Sequence, residues 1–389
     1  MDRFSAVERA LRGAPPHALF EAVRDALVTH YTAASVDLLM ADYAMTILQP
    51  VNALPYTAEP VPVHASAPGR AFGSQRPHVE RPARATEVVI AHFPVSVRGD
   101  RIGVLTVCLP EVHYTPQTQQ ELQDIAEILG HEIVVAERDT DLYLQARRAT
   151  RLTLAAEMQW HLLPGRSCTR PEYEIGAQLE PAYAIYGDNF DWSTSADHLT
   201  LTVTNGMGEG IEAALLTNLA VNALRNARRA GLSLTDQAFL ADQAIYGYYH
   251  GAAHLSVLLL SFDLATGQVE IVDAGSPRMW RLRQGKAEPI ELDAQLPLGM
   301  FEDTIYTAQP FTVLPGDRLF FISDGVYDVA SPAGERYSER ALTRAMTATR
   351  LLPPSQVPRA VLQELAGHRG PIDAQDDAMV VCLDWHGRQ

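Results

Sequence analysis

The order of apolar stretches predicts an α+β protein with two domains joined by a helix. At 389 residues the chain is too long for one ordinary hydrophobic core. Residues 17–138 run helix, strands, helix, while residues 165–386 alternate strands with paired helices. Residues 139–164 between them have helical spacing.

In the first segment, Leu19 to Tyr31 places Leu19, Phe20, Val23, Ala26 and Leu27 on one helical face. Ser35 to Leu39, Ala44 to Leu48, Glu87 to Ile90 and Gly103 to Cys108 read as strands. Thr115-Pro116 starts a closing helix that runs to Ala136, with Leu122, Ile125, Ile128 and Leu129 on a common face. The glycine-containing stretch Ser66 to Gly73 reads as a loop.

Glu137 to Leu163 is expected to form one helix, stopped by Pro164-Gly165. Leu142, Ala146, Ala149, Thr153, Ala156, Trp160 and Leu163 recur at spacings of four and three, a weak a/d seam. A helix packed on its own domain explains the second half of this stretch equally well.

Beyond it, strands are expected at Glu174–Leu179, His198–Thr204, His254–Asp263, Gln268–Ala274, Met279–Leu282, Asp317–Ser323 and Ala378–Leu383. Helices are expected at Ile211 to Ala230, Thr235 to Tyr248, Ser338 to Thr347 and Ser355 to Leu365. Antiparallel strands with helices in pairs predict a β-sandwich flanked by helices.

The composition narrows the function. A net charge of -16 opposes general nucleic-acid binding, which needs a basic face. Lys286 is the sole lysine, which excludes a P-loop. No apolar run approaches the roughly 18 residues of a membrane span, and Met1-Asp2-Arg3-Phe4 opens no secretory signal. Cys108, Cys168 and Cys382 are odd in number and widely spaced, so a reducing cytoplasm is expected. Arg225, Arg228 and Arg229 read as an exposed helical face.

Four acidic and glycine motifs carry the chemistry: Gly187-Asp188-Asn189-Phe190-Asp191, Asn205-Gly206-Met207-Gly208-Glu209-Gly210, Ser323-Asp324-Gly325-Val326 and Gln375-Asp376-Asp377-Ala378-Met379. Each borders an apolar stretch, which places it at a strand end. Asp188, Asp324 and Asp376 brought together would repel one another unless cations stood between them. Hard oxygen ligands without Cys or His select Mg²⁺ or Mn²⁺ over zinc. A pair of such ions activates water and holds a phosphoryl group for in-line attack.

These motifs carry a resemblance, with further ones in register: Gln159-Trp160-His161-Leu162-Leu163-Pro164, Asp273-Ala274-Gly275-Ser276-Pro277, Pro297-Leu298-Gly299 and Leu314-Pro315-Gly316-Asp317-Arg318-Leu319. Together they make residues 165–386 similar to the PPM (PP2C-like) serine/threonine phosphatases of the SpoIIE/RsbU branch. The resemblance implies metal ligation by Asp188, Asp324 and Asp376 with the Gly206 carbonyl, Asp377 being less certain and Asp191 a structural partner. It also implies Mn²⁺ or Mg²⁺ as cofactor and, as substrate, a phosphorylated anti-anti-sigma (STAS) protein. Residues 17–138, through the Ser66–Gly73 stretch and the hairpin Val95-Ser96-Val97-Arg98-Gly99-Asp100-Arg101-Ile102-Gly103-Val104-Leu105, resemble a GAF sensory domain. That likeness implies a homodimer, an unidentified small ligand and regulation through residues 139–164. An α+β domain that only dimerises fits the same stretch.

Three positions depart from the phosphatase pattern. Asn189 stands for an aromatic residue, Ser276 for a histidine, and Asn205 for the aspartate that bridges both metals in the family. An amide at 205 removes a charge and one ligating oxygen, a loss of roughly 3–5 kcal/mol or about two to four decades in metal affinity. Three readings stay open: an enzyme with a higher metal demand, an inactive phosphoprotein-binding module, or an Asn-Gly pair that deamidates.

Overall fold

The chain separates into two units, Met1–Leu152 and Thr153–Gln389. The structure is a computed structural model that describes residues 2–388 except 52–59, 83–86, 149–151, 181–184, 276, 335–336, 338, 372–373 and 375. Ala149, Ser276, Ser338 and Gln375, named above, lie outside the described residues.

In the first unit α1 (Arg3–Gly13) and α2 (Leu19–Tyr31) precede β1 (Ser35–Ala41), β2 (Ile47–Pro50) and β3 (Val61–Pro62). Then follow α3 (Ala67–Ser74), β4 (His78–Glu80), β5 (Val88–Val97), β6 (Asp100–Pro110), α4 (Pro116–Ala136) and α5 (Leu142–Ala146). The strands form one sheet in the order β3-β2-β1-β6-β5-β4. Side chains alternate across a strand, so Val89, Ala91, Phe93 and Val95 of β5 share one face with Leu105, Val107 and Leu109 of β6. That face packs on α2 and α4 in the main core of the unit. The β5–β6 hairpin turns at Arg98 and Gly99, with φ of 52° and 91°, the pair of positive values that a tight antiparallel hairpin favours.

Two expectations for this region are corrected. Ser66 to Gly73 is not a loop: Ser66 Oγ accepts from the Gly69 amide at 3.0 Å and caps α3, which buries Ala71 and Phe72 completely. The Phe72 side chain joins Leu39, Leu48 and Val104 in a small second core. Nor do residues 137–163 form one helix. Backbone turns follow Ala136, where Thr140 N donates to Ala136 O at 3.0 Å, and Thr140 Oγ1 accepts from Leu142 N at 3.3 Å. A threonine hydroxyl that takes a nearby amide competes with helix propagation. Helix α6 (Leu154–Leu162) begins at its own cap, Thr153 Oγ1 accepting from Ala156 N at 3.2 Å. Tyr143 and Ala146 of α5 belong to the first unit's core.

After α6 the second unit contains β7 (Ser167–Arg170), β8 (Tyr173–Glu180), β9 (Asn189–Thr194), β10 (His198–Asn205), α7 (Gly210–Arg229) and α8 (Leu234–Tyr249). Strands β11 (Ser256–Asp263), β12 (Gln268–Ala274), β13 (Arg278–Arg283), β14 (Lys286–Ile290), β15 (Gln309–Thr312) and β16 (Arg318–Ile322) come next. Helices α9 (Asp324–Tyr327), α10 (Glu339–Ala348) and α11 (Val357–Arg369) precede the last strand, β17 (Ala378–Trp385). One sheet has the order β15-β12-β11-β10-β9 and the other β14-β13-β16-β17-β8-β7. Phe190, Leu201, Leu260, Ile271, Phe321 and Val381 meet in the core between the two sheets. Outside the first sheet, Leu216, Ala220 and Ile245 of α7 and α8 cover Val257 and Leu259. Outside the second, Leu342, Met346, Val361 and Leu365 of α10 and α11 cover Phe320 and Val380. This is the β-sandwich flanked by helices that the apolar pattern predicts. Among the described residues, no helix is long and apolar enough to cross a membrane.

Candidate metal centre

The four motifs meet where strands of both sheets end. Asp188 directly precedes β9, Asn205 is the last residue of β10, Asp324 opens α9 behind β16, and Asp376 and Asp377 lead into β17. Strands β9 and β10 are neighbours in one sheet, and β16 and β17 are neighbours in the other. Two glycines let the segments touch. A side chain at Gly206 would strike the carbonyl oxygen of Tyr186, and one at Gly325 would strike the carbonyl oxygen of Asp377. Backbone approaches of this kind leave no room for a Cβ.

The carboxylates differ in environment. Asp188 is fully buried; its Oδ1 accepts from Gly206 N at 3.3 Å, and its Oδ2 has no hydrogen-bond partner. Burial pushes its pKa well above the usual carboxylate range, and the negative charges of Asp377, Asp324 and Asp376 push it further. The Asp376 carboxyl is raised to about 7, first by burial and then by Asp324. Its Oδ1 accepts from Asp377 N at 2.8 Å, and Asp324 Oδ1 accepts from Gly325 N at 2.9 Å. Asp377, also fully buried, is committed elsewhere: its Oδ2 accepts from Gln159 Nε2 at 2.8 Å, Tyr186 N at 3.1 Å and Gly187 N at 3.0 Å. Asn205 is half-buried at the same strand ends, paired in register with Ser256 of β11.

Among the described residues no three His, Cys, Asp or Glu side chains are arranged to grip one ion between them. Asp188 and Asp376 are nevertheless both raised, first by burial and then by neighbouring carboxylates. An orphaned buried Asp188 oxygen, hard oxygen donors and uncompensated negative charge fit a divalent cation that completes its shell with water and backbone carbonyls.

Two neighbours were not foreseen as part of this site. Gln159 on α6 donates Nε2 both to Asp188 O at 2.9 Å and to Asp377 Oδ2, joining two of the motifs. The cue was a glutamine among apolar residues in the Gln159-to-Pro164 stretch. Arg225 and Arg228 are not an exposed face: Arg225 holds Asp191 Oδ1 at 2.8 Å and Leu162 O, and Arg228 holds Asp191 Oδ2 at 3.0 Å. Asp191 is therefore a structural partner that ties β9 to α7.

Comparison with known proteins agrees with this fold. Residues 195–386 match the family described as Stage II sporulation protein E (SpoIIE). Protein IcfG of Synechocystis sp. is 21% identical over 333 residues, which cover 77% of this chain and 52% of that protein. Phosphoserine phosphatase RsbU of Bacillus subtilis is 20% identical over 211 residues, 54% of this chain and 63% of that protein. The chain thus spans between about half and two-thirds of the length of these relatives. The crystal structure of the RsbU and RsbW domains of a Mycobacterium tuberculosis protein superposes with a TM-score of 0.50 at 22% identity, covering 56% of this chain and 61% of that one. The second unit shares its fold with that structure. Residues 195–386 are thus similar to the SpoIIE family and to the phosphoserine phosphatases RsbU and RsbP of Bacillus subtilis.

Proposed function

We propose that the second unit removes phosphate from a phosphoserine or phosphothreonine of a partner protein, using Mn²⁺ or Mg²⁺. The observation that carries this reading is the convergence of Asp188, Asp324 and Asp376, with Asn205 and Gly206, at adjoining strand ends. Asp188, Asp324, Asp376 and the Gly206 carbonyl would hold the ions, Asp188 mostly through water. Bound there, the ions supply the Lewis acidity that activates water and neutralises a phosphoryl group. Asp377 and Gln159 position the Asp188 backbone, and the two sheets exclude solvent from the Asp188 side.

The similarity to RsbU and RsbP supports a partner-switching role, with a STAS-type anti-anti-sigma protein as substrate. The first unit, a sheet backed by α2 and α4, is read as a GAF-like sensor that dimerises and answers an unidentified small ligand. The protein would act in the cytoplasm. Hydrolysis of a phosphoserine peptide with Mn²⁺ by the full chain, lost in Asp324→Ala, is the expected result; equal hydrolysis by both proteins sinks the assignment.

Asn205 favours a second reading. With an amide where a bridging carboxylate would stand, the domain acts as a phosphoprotein-binding module without turnover. Phosphopeptide binding without hydrolysis in saturating Mn²⁺ selects it.

A further inference from the structure

A cavity of about 520 Å³ opens from the Asp324 and Asp376 end of the site. Val329 and Pro332 contribute an apolar wall, and Asp328 a third carboxylate. Among the described lining residues, Arg369 is the one cation. Its Nε is buried and has no hydrogen-bond partner. A guanidinium that lines a cavity beside three carboxylates is the group there able to donate to an anion.

The arginine is held firmly. It is the last residue of α11, whose Val357, Val361, Leu362 and Leu365 are buried. The next residue, Gly370, turns the chain at φ 64°, and a Cβ there would come within 3.3 Å of Pro332 Cγ on the cavity wall. Arg369 also acts on Glu180, whose carboxyl is pushed above its ordinary range by burial and drawn back by Arg369 and then Arg359. Glu180 thus has a second arginine nearby, whereas the cavity has no other described cation.

We propose that Arg369 receives the phosphate of the phosphorylated partner, with the apolar wall taking the chain that flanks it. This inference rests on the phosphatase-fold reading of the site. A phosphomonoester brings close to two negative charges into a cavity already lined by Asp324, Asp328 and Asp376. Ions held by the carboxylates would offset their charge, and a guanidinium fork would meet the phosphate's outer oxygens through two parallel N–H donors.

The test measures binding of inorganic phosphate to the Mn²⁺-loaded full chain by calorimetry, so that turnover is not required. Arg369→Met is expected to weaken phosphate by about tenfold or more, the value of one charge-assisted hydrogen bond, and Arg369→Lys to recover part of it. Arg359→Met, which removes the other neighbour of Glu180, leaves phosphate affinity unchanged. Melting temperatures and Mn²⁺ affinity like those of the parent show that each variant has folded. Equal phosphate affinity in the parent and Arg369→Met overturns the proposal, as does a loaded parent that binds no phosphate. Peptide hydrolysis on the same samples separates the two claims. A parent without turnover that binds phosphate through Arg369 ends the catalytic reading alone. Normal turnover with no effect of Arg369→Met ends this one alone.

Discussion

At the scale of single residues, the site is a balance of unfavourable charges. Asp188 and Asp376 are both pushed toward their neutral forms by burial and by their neighbours. A group whose folded pKa is raised stabilises the protein below its unfolded pKa and loses that contribution as pH rises through the folded value. The metal-free protein should therefore lose melting temperature between about pH 4 and the Asp376 value of about 7. Saturating Mn²⁺ should reverse the slope, because bound cations favour the ionised carboxylates. Thermal melts across this range with EDTA or Mn²⁺ check the sign; parallel curves would contradict it. On the proposed reading, Asn205 sets how tightly the centre would hold its ions. Asn205→Asp should tighten Mn²⁺ by about two to four decades, read by calorimetry, and an unchanged affinity would remove Asn205 from the metal's surroundings.

At the scale of elements, the sandwich was legible because its strands alternate and its helices keep an apolar stripe. Gln268–Ala274 has the predicted bounds, and α2 begins and ends at the predicted residues. In the second unit four strands went unseen: β7, β9, β14 and β15. Three are edge strands of four or five residues whose pairing is supplied by a neighbour. The fourth, β9, alternates correctly at Phe190 and Trp192 but was masked by the acidic motif that opens it. Helix α3 was hidden by Gly69 and Gly73, read as breakers although the Ser66 cap outweighs them. The break after Ala136 was hidden because a heptad count does not register a threonine hydroxyl taking a backbone amide. The acidic motifs and their places at strand ends were legible one by one, but the joints between them were not. Gly325 packing on Asp377 is a fact of close approach, invisible to spacing. Gly325→Ala should accordingly destabilise the second unit by about 1–3 kcal/mol, lowering its melting temperature by roughly 2–10 °C. An unchanged melt would show that the approach is looser than described. Gln159→Leu keeps the apolar packing of α6 but removes both donors, and should weaken Mn²⁺ binding while α6 stays folded by circular dichroism.

At the scale of the molecule, the chain forms two units with separate cores. Residues 153–389 hold every candidate ligand, so that fragment should fold alone and bind Mn²⁺ as the full chain does. Residues 1–152 expose Val28, Val134 and Val135 on α2 and α4 and should account for dimerisation, checked by light scattering on each fragment. A dimeric 153–389 fragment with a monomeric 1–152 fragment would reverse that division. The central claim is that four separated motifs form one divalent-metal centre. Calorimetric titration of Mn²⁺ into the full chain and into Asp324→Ala tests it most directly. Two sites in the parent, lost in the variant without loss of fold, are predicted; no binding by the parent, or identical isotherms for both proteins, would contradict the account.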